Sequence, residues 1–183
     1  GISTARFNKQ LFLMGYAAYG TKDNEWKYNA SVEYSFREKK MHANEFPIRS
    51  LKLSYGYDTH LLGQDPTTGK DNFMLSMKRN GDEQITYLRE AELLLTNEFW
   101  SGFSYKFSLN HKREYATRFT AFERVGDGLA VPHYDMTSAT LTLRYAPHET
   151  FIQSRTSRTP INHQHPVFVL THTAAKSGVL GSD

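Results

Sequence analysis

An unbroken alternation of apolar and polar residues constrains the fold of this chain more than any other feature. The stretch "WKYNASVEYSF", residues 26–36, places six apolar side chains on one side of an extended strand and five polar ones on the other. A protein core and the hydrocarbon of a membrane both favour such a strand. The stretch therefore predicts a β-strand with one apolar face, and other parts of the chain must indicate what covers that face.

The same two-residue period recurs along the chain. Further predicted strands are Leu11–Gly20, Leu51–Asp58, Phe73–Arg79, Phe103–Asn110, Ser138–Tyr145 and Val167–Thr173. Residues 87–99 are rich in helix-forming residues, but the tight turn "WSG" joins them to the strand that starts at Phe103. We assign this segment to a strand as well, which predicts about seven or eight strands in total.

Short turn signals separate these segments. They include "GTKDNE" at residues 20–25, "NGDE" at 80–83, "WSG" at 100–102 and "APHET" at 146–150. Strands joined by so few residues pair as antiparallel hairpins. Because no linker or low-complexity run interrupts the pattern, residues 1–183 are predicted to form a single all-β unit, an antiparallel up-and-down meander.

Composition excludes several classes of function. Lys and Arg number 22 against 19 Asp and Glu, and the basic residues are scattered, so we expect no nucleic-acid partner. The absence of cysteine excludes disulfides, thiolate zinc sites and a cysteine nucleophile. No run approaches the roughly 18 apolar residues of a membrane helix. The first residues, "GISTARF", show no initiator Met and no signal-peptide pattern, which predicts a mature or truncated chain.

Two features bear on what the apolar face contacts. In residues 26–36 the aromatic rings lie at both ends of the apolar side, the order expected of a strand that crosses a bilayer between two aromatic girdles. Residues 103–123 contain no Pro or Gly and would span roughly 65 Å as one unbroken strand. Both features favour a transmembrane β-barrel segment. A soluble β-sandwich or barrel that binds a small apolar ligand remains the alternative.

Several blocks of sequence resemble a known family. In chain order they are "AAYGTKDNEWKYNASVEYSF", "EFP", "LSYGYD", "DNF", "SGFSYKF" and "HPVFVL". They resemble the barrel part of outer-membrane proteins of Bacteroides-group bacteria, which are named carboxypeptidase-like regulatory domain-containing proteins and carry a barrel domain of unknown function. Some members are labelled TonB-dependent-receptor-like.

The resemblance implies a location and a role. The chain would be a section of a larger barrel in the outer membrane of a Gram-negative bacterium, without the small sandwich domain that precedes the barrel in family members. Its partners would be outer-membrane lipid and other envelope proteins. The role would be transport, anchoring or surface recognition, with no catalysis and no cofactor.

Candidate site residues are few. His163 and His165 have a spacing that could hold a metal, but no third ligand is nearby, so we interpret them as part of a polar loop. Glu90, Glu92 and Glu98 share one side of a predicted strand, and a charge row facing a polar lumen is the favoured interpretation over an acid–base pair. We therefore assign no catalytic, cofactor-binding or metal residue. The loops expected to be most mobile are residues 37–50, 63–72 and 125–135.

Overall fold

The structure is a computed structural model that describes residues 1–21, 23–61, 85–117, 120–124, 126, 128–154, 157–161 and 165–178. These residues form eleven β-strands and no helix. The strands are β1 (Leu11–Tyr19), β2 (Trp26–Ser35), β3 (Arg49–Leu61), β4 (Ile85–Glu98), β5 (Phe103–Tyr115), β6 (Phe122–Glu123), β7 (Ala130–Val131), β8 (His133–Tyr145), β9 (Thr150–Gln153), β10 (Arg158–Ile161) and β11 (Phe168–Ser177). The strand predicted at 73–79 and the turns at 63–72 and 80–83 lie outside the described residues.

Seven of the strands form one antiparallel sheet in the order β1-β2-β3-β4-β5-β8-β11. The other four form two separate ribbons, β6 with β7 and β9 with β10, in the connections that flank β8. Each neighbouring pair in the large sheet is antiparallel, so the chain runs up and down. The prediction of an all-β antiparallel meander is confirmed.

The segment rich in helix formers is a strand. β4 extends for 14 residues and pairs with β3 on one side and β5 on the other. Two full ladders of backbone hydrogen bonds, together with side chains that alternate between two faces, outweigh a local preference worth a few tenths of a kcal/mol per residue. The tight turn that led to the strand assignment is present, since the Phe99 N–H donates to the Phe103 carbonyl over 2.9 Å.

That turn requires glycine at position 102. Gly102 has φ +81°, and a Cβ atom built there would lie 2.4 Å from the carbonyl oxygen of Ala146. The Ala146 N–H donates to the Gly102 carbonyl over 2.9 Å, which ties the β4–β5 turn to the end of β8. Any other residue at position 102 would therefore force these two connections apart.

The long uninterrupted strand considered for residues 103–123 is not formed. β5 ends at Tyr115, where the last register pair with β8 is Tyr115 with His133. Beyond it the Ala116 N–H donates to the Pro132 carbonyl, and Thr117 and Thr120 close a small turn through paired backbone hydrogen bonds. The ladder stops there because Pro132 has no N–H to continue it.

The large sheet is open. β1 and β11 are its outer strands, and within the described residues they do not pair with each other. Residues 1–3 add a short antiparallel segment beside β1, where the Ser3 N–H donates to the Leu13 carbonyl over 2.8 Å. All ten residues of β11 are exposed. Among the described residues, no helix is long and apolar enough to cross a membrane.

Candidate functional site

The large sheet has one apolar face, which is continuous across all seven strands. Register pairs align Leu13, Val32, Leu53, Leu93 and Leu109 in a single row, and Ala139 and Ala174 continue this row to β11. The row exists because each strand contributes alternate residues to this face and the register keeps the alternation in phase. We call this surface the apolar face and the opposite surface the polar face.

The apolar face is the exposed face. Val32 is 45% exposed, Leu53 56% and Leu170 65%, although each side chain is aliphatic. In contrast, the buried hydrophobic residues among the described part of the chain are only Ala5, Phe12, Leu88 and Ala146. A water-soluble domain of this size would bury its large aliphatic side chains. The exposure of this sheet is therefore inverted relative to such a domain.

The buried positions of the sheet are mainly polar, and Phe12 and Leu88 are the apolar exceptions among the described residues. Ser31, Ser50, Thr86 and Thr96 lie on the polar face and are each at most 6% exposed. Small hydroxyl residues pack closely on this side, and they retain hydrogen-bonding groups that an apolar core would exclude. The polar face thus combines close packing with hydrogen-bonding groups, in contrast to an apolar core.

Aromatic rings border the apolar face at both ends of the strands. At the end that carries the hairpin Gly20–Glu25, which we call the Trp26 end, the rings include Trp26, Tyr57, Tyr87 and Tyr115. At the opposite end, the Phe103 end, they are Tyr34, Phe36, Phe99, Phe103, Tyr145 and Phe168. Between them, the row of Leu53 and the row of Leu51 are mainly aliphatic, whereas the row of Ala91 also holds Tyr55, His111, Thr137 and Lys176. The apolar face therefore has an aromatic border at each end and an aliphatic band that lies nearer the Phe103 end.

The three glutamates singled out in the sequence do lie on the polar face but do not form one site. Glu90 accepts a hydrogen bond from the Asn110 amide and lies 3.6 Å from the Lys112 ammonium nitrogen. Glu98 forms two hydrogen bonds of 2.8 and 2.7 Å with the Arg158 guanidinium at the Phe103 end. Each of these two carboxylates has its own cation, which fits a charge row along a polar surface.

A further polar cluster surrounds Glu114, which the sequence pattern did not reveal. Its carboxylate contacts the His60 ring and accepts from the Tyr134 hydroxyl, and Thr86 donates over 3.3 Å. The four residues come from β3, β4, β5 and β8, so only strand pairing brings them together. The cluster can hold a buried carboxylate by hydrogen bonding, and it lies on the polar face near the Trp26 end.

The histidine pair proposed as a weak metal candidate is only partly within the described residues. His163 lies outside them, and the His165 ring packs against the His148 ring with centroids 5.2 Å apart. Over the described ranges, no three His, Cys, Asp or Glu side chains are grouped so that they could hold a metal ion.

A cavity of about 670 Å³ opens at the Phe103 end. Its wall includes the turn at Gly102, the end of β8 and the start of the β9–β10 ribbon. The cations beside it are neutralised, since Arg144 pairs with Glu149 and Arg158 with Glu98. The Arg158 guanidinium also lies 4.5 Å from the centroid of the Phe151 ring. The cavity is thus aromatic with internally paired charges.

The connection between β2 and β3 is held by buried polar side chains. Lys39, 3% exposed, donates from Nζ to the carbonyl oxygens of Glu45 and Pro47. Burial lowers the pKa of Lys39. Burial alone would raise the pKa of Glu45, but hydrogen bonds from the N–H groups of Lys40, Met41 and His42 lower it. This segment, which the sequence predicts to be among the most mobile, is tied by its own interior hydrogen bonds.

Comparison of the chain with protein-family models, with curated proteins and with solved structures finds no match.

Proposed function

We propose that this chain is part of the wall of an outer-membrane β-barrel, with its apolar face against lipid and its polar face toward a hydrated lumen. Its role would be passage, anchoring or surface recognition. One observation carries the proposal: among the described residues, most large aliphatic and aromatic side chains of the sheet are exposed, while its buried positions are mainly Ser, Thr and paired charges, with Phe12 and Leu88 as the buried apolar exceptions. Exposed aliphatic surface is stable where the surrounding solvent is hydrocarbon.

Strand length supports the same proposal. β3, β4, β5 and β8 are 13 or 14 residues long, and a tilted transmembrane strand needs about 9 to 11. On β5 the apolar side chains run from Phe103 to Leu109, a distance of about 20 Å along the strand. These strands are long enough to cross the hydrocarbon layer and to extend into the interface on either side.

The polar face supplies the other half of the argument. Lys52, Glu90, Glu92, Lys106 and Lys112 all project from it, and a barrel that surrounds water tolerates such charges. The same charges would be costly if this face were the core of a soluble protein. A polar lumen accommodates both the charges and the small hydroxyl residues beside them.

A soluble barrel that binds an apolar ligand is the competing proposal. Such a barrel would close with the apolar face inside, so that Val32, Leu53 and Leu93 would line the cavity. In this sheet the same residues lie on the exposed face, and the polar face is the shielded one. The exposure pattern therefore favours the membrane proposal.

The resemblance to barrels of Bacteroides-group outer-membrane proteins is consistent with this reading and extends it. It implies a larger barrel, in which further strands would pair with β1 and β11. In the described sheet β11 has a free outer edge and residues 1–3 cover only part of the outer edge of β1, and in hydrocarbon each unpaired backbone group would cost several kcal/mol. The partners we propose are outer-membrane lipid and neighbouring envelope proteins.

The test is refolding of the polypeptide encoded by the complete reading frame, with and without detergent micelles or lipid vesicles. We expect β-type circular dichroism and heat-modifiable gel mobility only when detergent or lipid is present. A compact, cooperatively unfolding monomer in plain buffer would overturn the proposal and favour the soluble barrel.

A further inference from the structure

Arg89 is an exposed cation on the apolar face, at the border of the aliphatic band. On β4 this face continues from Arg89 to Ala91, Leu93 and Leu95. Arg89 is therefore the last position before the aliphatic surface when the strand is followed from the Trp26 end. In a membrane-crossing sheet this is the depth of the lipid headgroups.

Two tyrosine rings position the Arg89 guanidinium. Its central carbon lies 5.7 Å from the centroid of the Tyr57 ring on β3 and 5.5 Å from that of the Tyr115 ring on β5. The register explains both contacts. Arg89 pairs with Tyr57 on β3 and with Arg113 on β5, and Tyr115 lies two residues after Arg113 on the same face of β5. Cation–π contacts with these two neighbouring rings restrain the long side chain without neutralising its charge.

Arg89 lacks an anionic partner within the described residues, where no carboxylate oxygen lies within 4.0 Å of its guanidinium. Its neighbour Arg113 provides the contrast, since it forms two hydrogen bonds of 2.7 Å with Asp135. Asp23, at the same end, pairs with Lys27 over 2.7 Å and accepts from the Tyr87 hydroxyl over 3.0 Å. The neighbouring carboxylates Asp23 and Asp135 are thus already engaged, whereas Arg89 remains available.

A second arginine lies at the other border of the same face. Arg49 on β3 pairs with Asn97 and lies 5.5 Å from the centroid of the Phe99 ring. From Arg89 to Asn97 the strand advances eight residues, which is about 27 Å along β4. With the usual strand tilt this separation corresponds to roughly 20 Å of membrane depth, close to the height of a lipid-facing band. The two arginines therefore lie where the two interfaces are expected.

From this geometry we propose that Arg89, in contact with the rings of Tyr57 and Tyr115, binds the phosphate group of a membrane lipid whose acyl chains lie along Leu93 and the aliphatic row. A guanidinium donates two parallel hydrogen bonds to phosphate oxygens, and a cation–π contact does not use up its N–H donors. The inference rests on the proposed function, since it requires the apolar face to contact lipid. It adds the chemistry of the headgroup and the residue that recognises it.

The experiment measures lipid retention by native mass spectrometry. The polypeptide of the complete reading frame is refolded in detergent and mixed with equal amounts of phosphatidylglycerol and diacylglycerol, which share acyl chains but differ in the phosphoglycerol headgroup that only the former carries. We expect preferential retention of phosphatidylglycerol, and we expect Arg89→Gln to reduce that preference about fivefold. Arg37→Gln is the matched control, because Arg37 is an exposed arginine in the loop after β2 at the Phe103 end, and its preference should equal that of the parent.

The outcomes separate this inference from the proposed function. A protein that folds with heat-modifiable mobility but whose preference is unchanged by Arg89→Gln would overturn the phosphate site and leave the membrane proposal intact. Displacement of the lipid by millimolar inorganic phosphate would also overturn it, because the site would then recognise free phosphate. A protein that folds without detergent or lipid would remove both proposals together. Arg89→Lys should retain part of the preference, since it keeps the charge but loses the planar donor pair.

Discussion

Two adjacent alanines of β11 provide a test of which face contacts lipid. Ala174 lies on the apolar face and Ala175 on the polar face, and both are exposed. Ala174 pairs with Ala139 in the row that contains Val32, whereas Ala175 pairs with Ser138 in the row that contains Ser31. The same parent residue, the same exposure class and the same substitution can therefore be compared on opposite faces of one strand.

The expected difference follows from the solvent on each side. An arginine in place of Ala174 would enter the lipid-facing band, and we expect a loss of about 2 kcal/mol because the cost is 2 to 4 kcal/mol at the midplane and smaller toward the interface. Ala175→Arg would face water in the lumen and should change stability by less than about 0.5 kcal/mol. A difference of 2 kcal/mol corresponds to about a 30-fold change in the folding equilibrium.

The assay is equilibrium unfolding in urea of the full-frame protein in phosphatidylcholine vesicles, with heat-modifiable gel mobility reporting the folded fraction. The midpoint should fall for Ala174→Arg and stay unchanged for Ala175→Arg, with equal slopes in the two titrations. If both variants unfold at the parent midpoint, Ala174 faces water and the membrane proposal is wrong. If both variants lose stability equally, the arginine disturbs the strand itself, and the two faces of the sheet do not contact different solvents.

Three further predictions follow from the same structure. Val32→Arg should lower the free energy of unfolding by about 2 to 4 kcal/mol, and Ser31→Arg should lower it by less. The effect at Ser31 should still exceed that of Ala175→Arg, because Ser31 is 5% exposed and its neighbours must move. Urea midpoints compare the variants, and a larger loss of stability at Ser31 than at Val32 would contradict the face assignment. Glu45→Gln should destabilise the β2–β3 connection by about 2 kcal/mol at pH 7. Because folding lowers the pKa of Glu45, the stability difference between parent and variant is present above the unfolded carboxyl pKa of about 4.3 and is lost as the pH falls through the pKa of the folded state. The measurement is trypsin cleavage after Lys39 at pH 7, which should be faster in the variant. Equal cleavage of the two proteins would count against the hydrogen-bonded loop. The 183-residue chain alone should aggregate when it is refolded into micelles, because in the described part of the chain β11 and the section of β1 that residues 1–3 do not cover keep unpaired edges. A cooperative, heat-modifiable monomer would show that the chain closes on itself.

The strands were predictable because their signal is local. Period-2 alternation identifies residues 26–36, 51–58 and 103–110 without knowledge of any partner, and in the structure they lie in β2, β3 and β5 except for Phe36, which follows the last residue of β2. β4 required one additional inference, since its composition favours a helix and only the tight turn after it indicated a strand. The end of β5 was not predictable from an absence of Pro and Gly, because Pro132, which limits its pairing, lies on the partner side of the ladder.

The candidate sites depend on register, which no local pattern specifies. Glu114 meets His60, Thr86 and Tyr134 only because four strands align at one level. Arg89 is placed between two tyrosines of neighbouring strands by the same register, and the sequence alone offers no reason to distinguish it from Arg113. A one-residue slip of β4 would transfer Arg89 to the polar face and remove both contacts.

The sequence by itself determined that the chain forms strands with one apolar and one polar side, because side-chain direction alternates at every residue of an extended backbone. It left open whether the apolar side is covered by protein, since core and lipid favour the same alternation. Only the tertiary structure decided which side is shielded: pairing of seven strands in one phase assembles the alternate residues of each into two continuous faces, and Ser31, Thr86 and Thr96 lie on the buried one. Exposure is a property of the assembled sheet, so it cannot be read from any single strand.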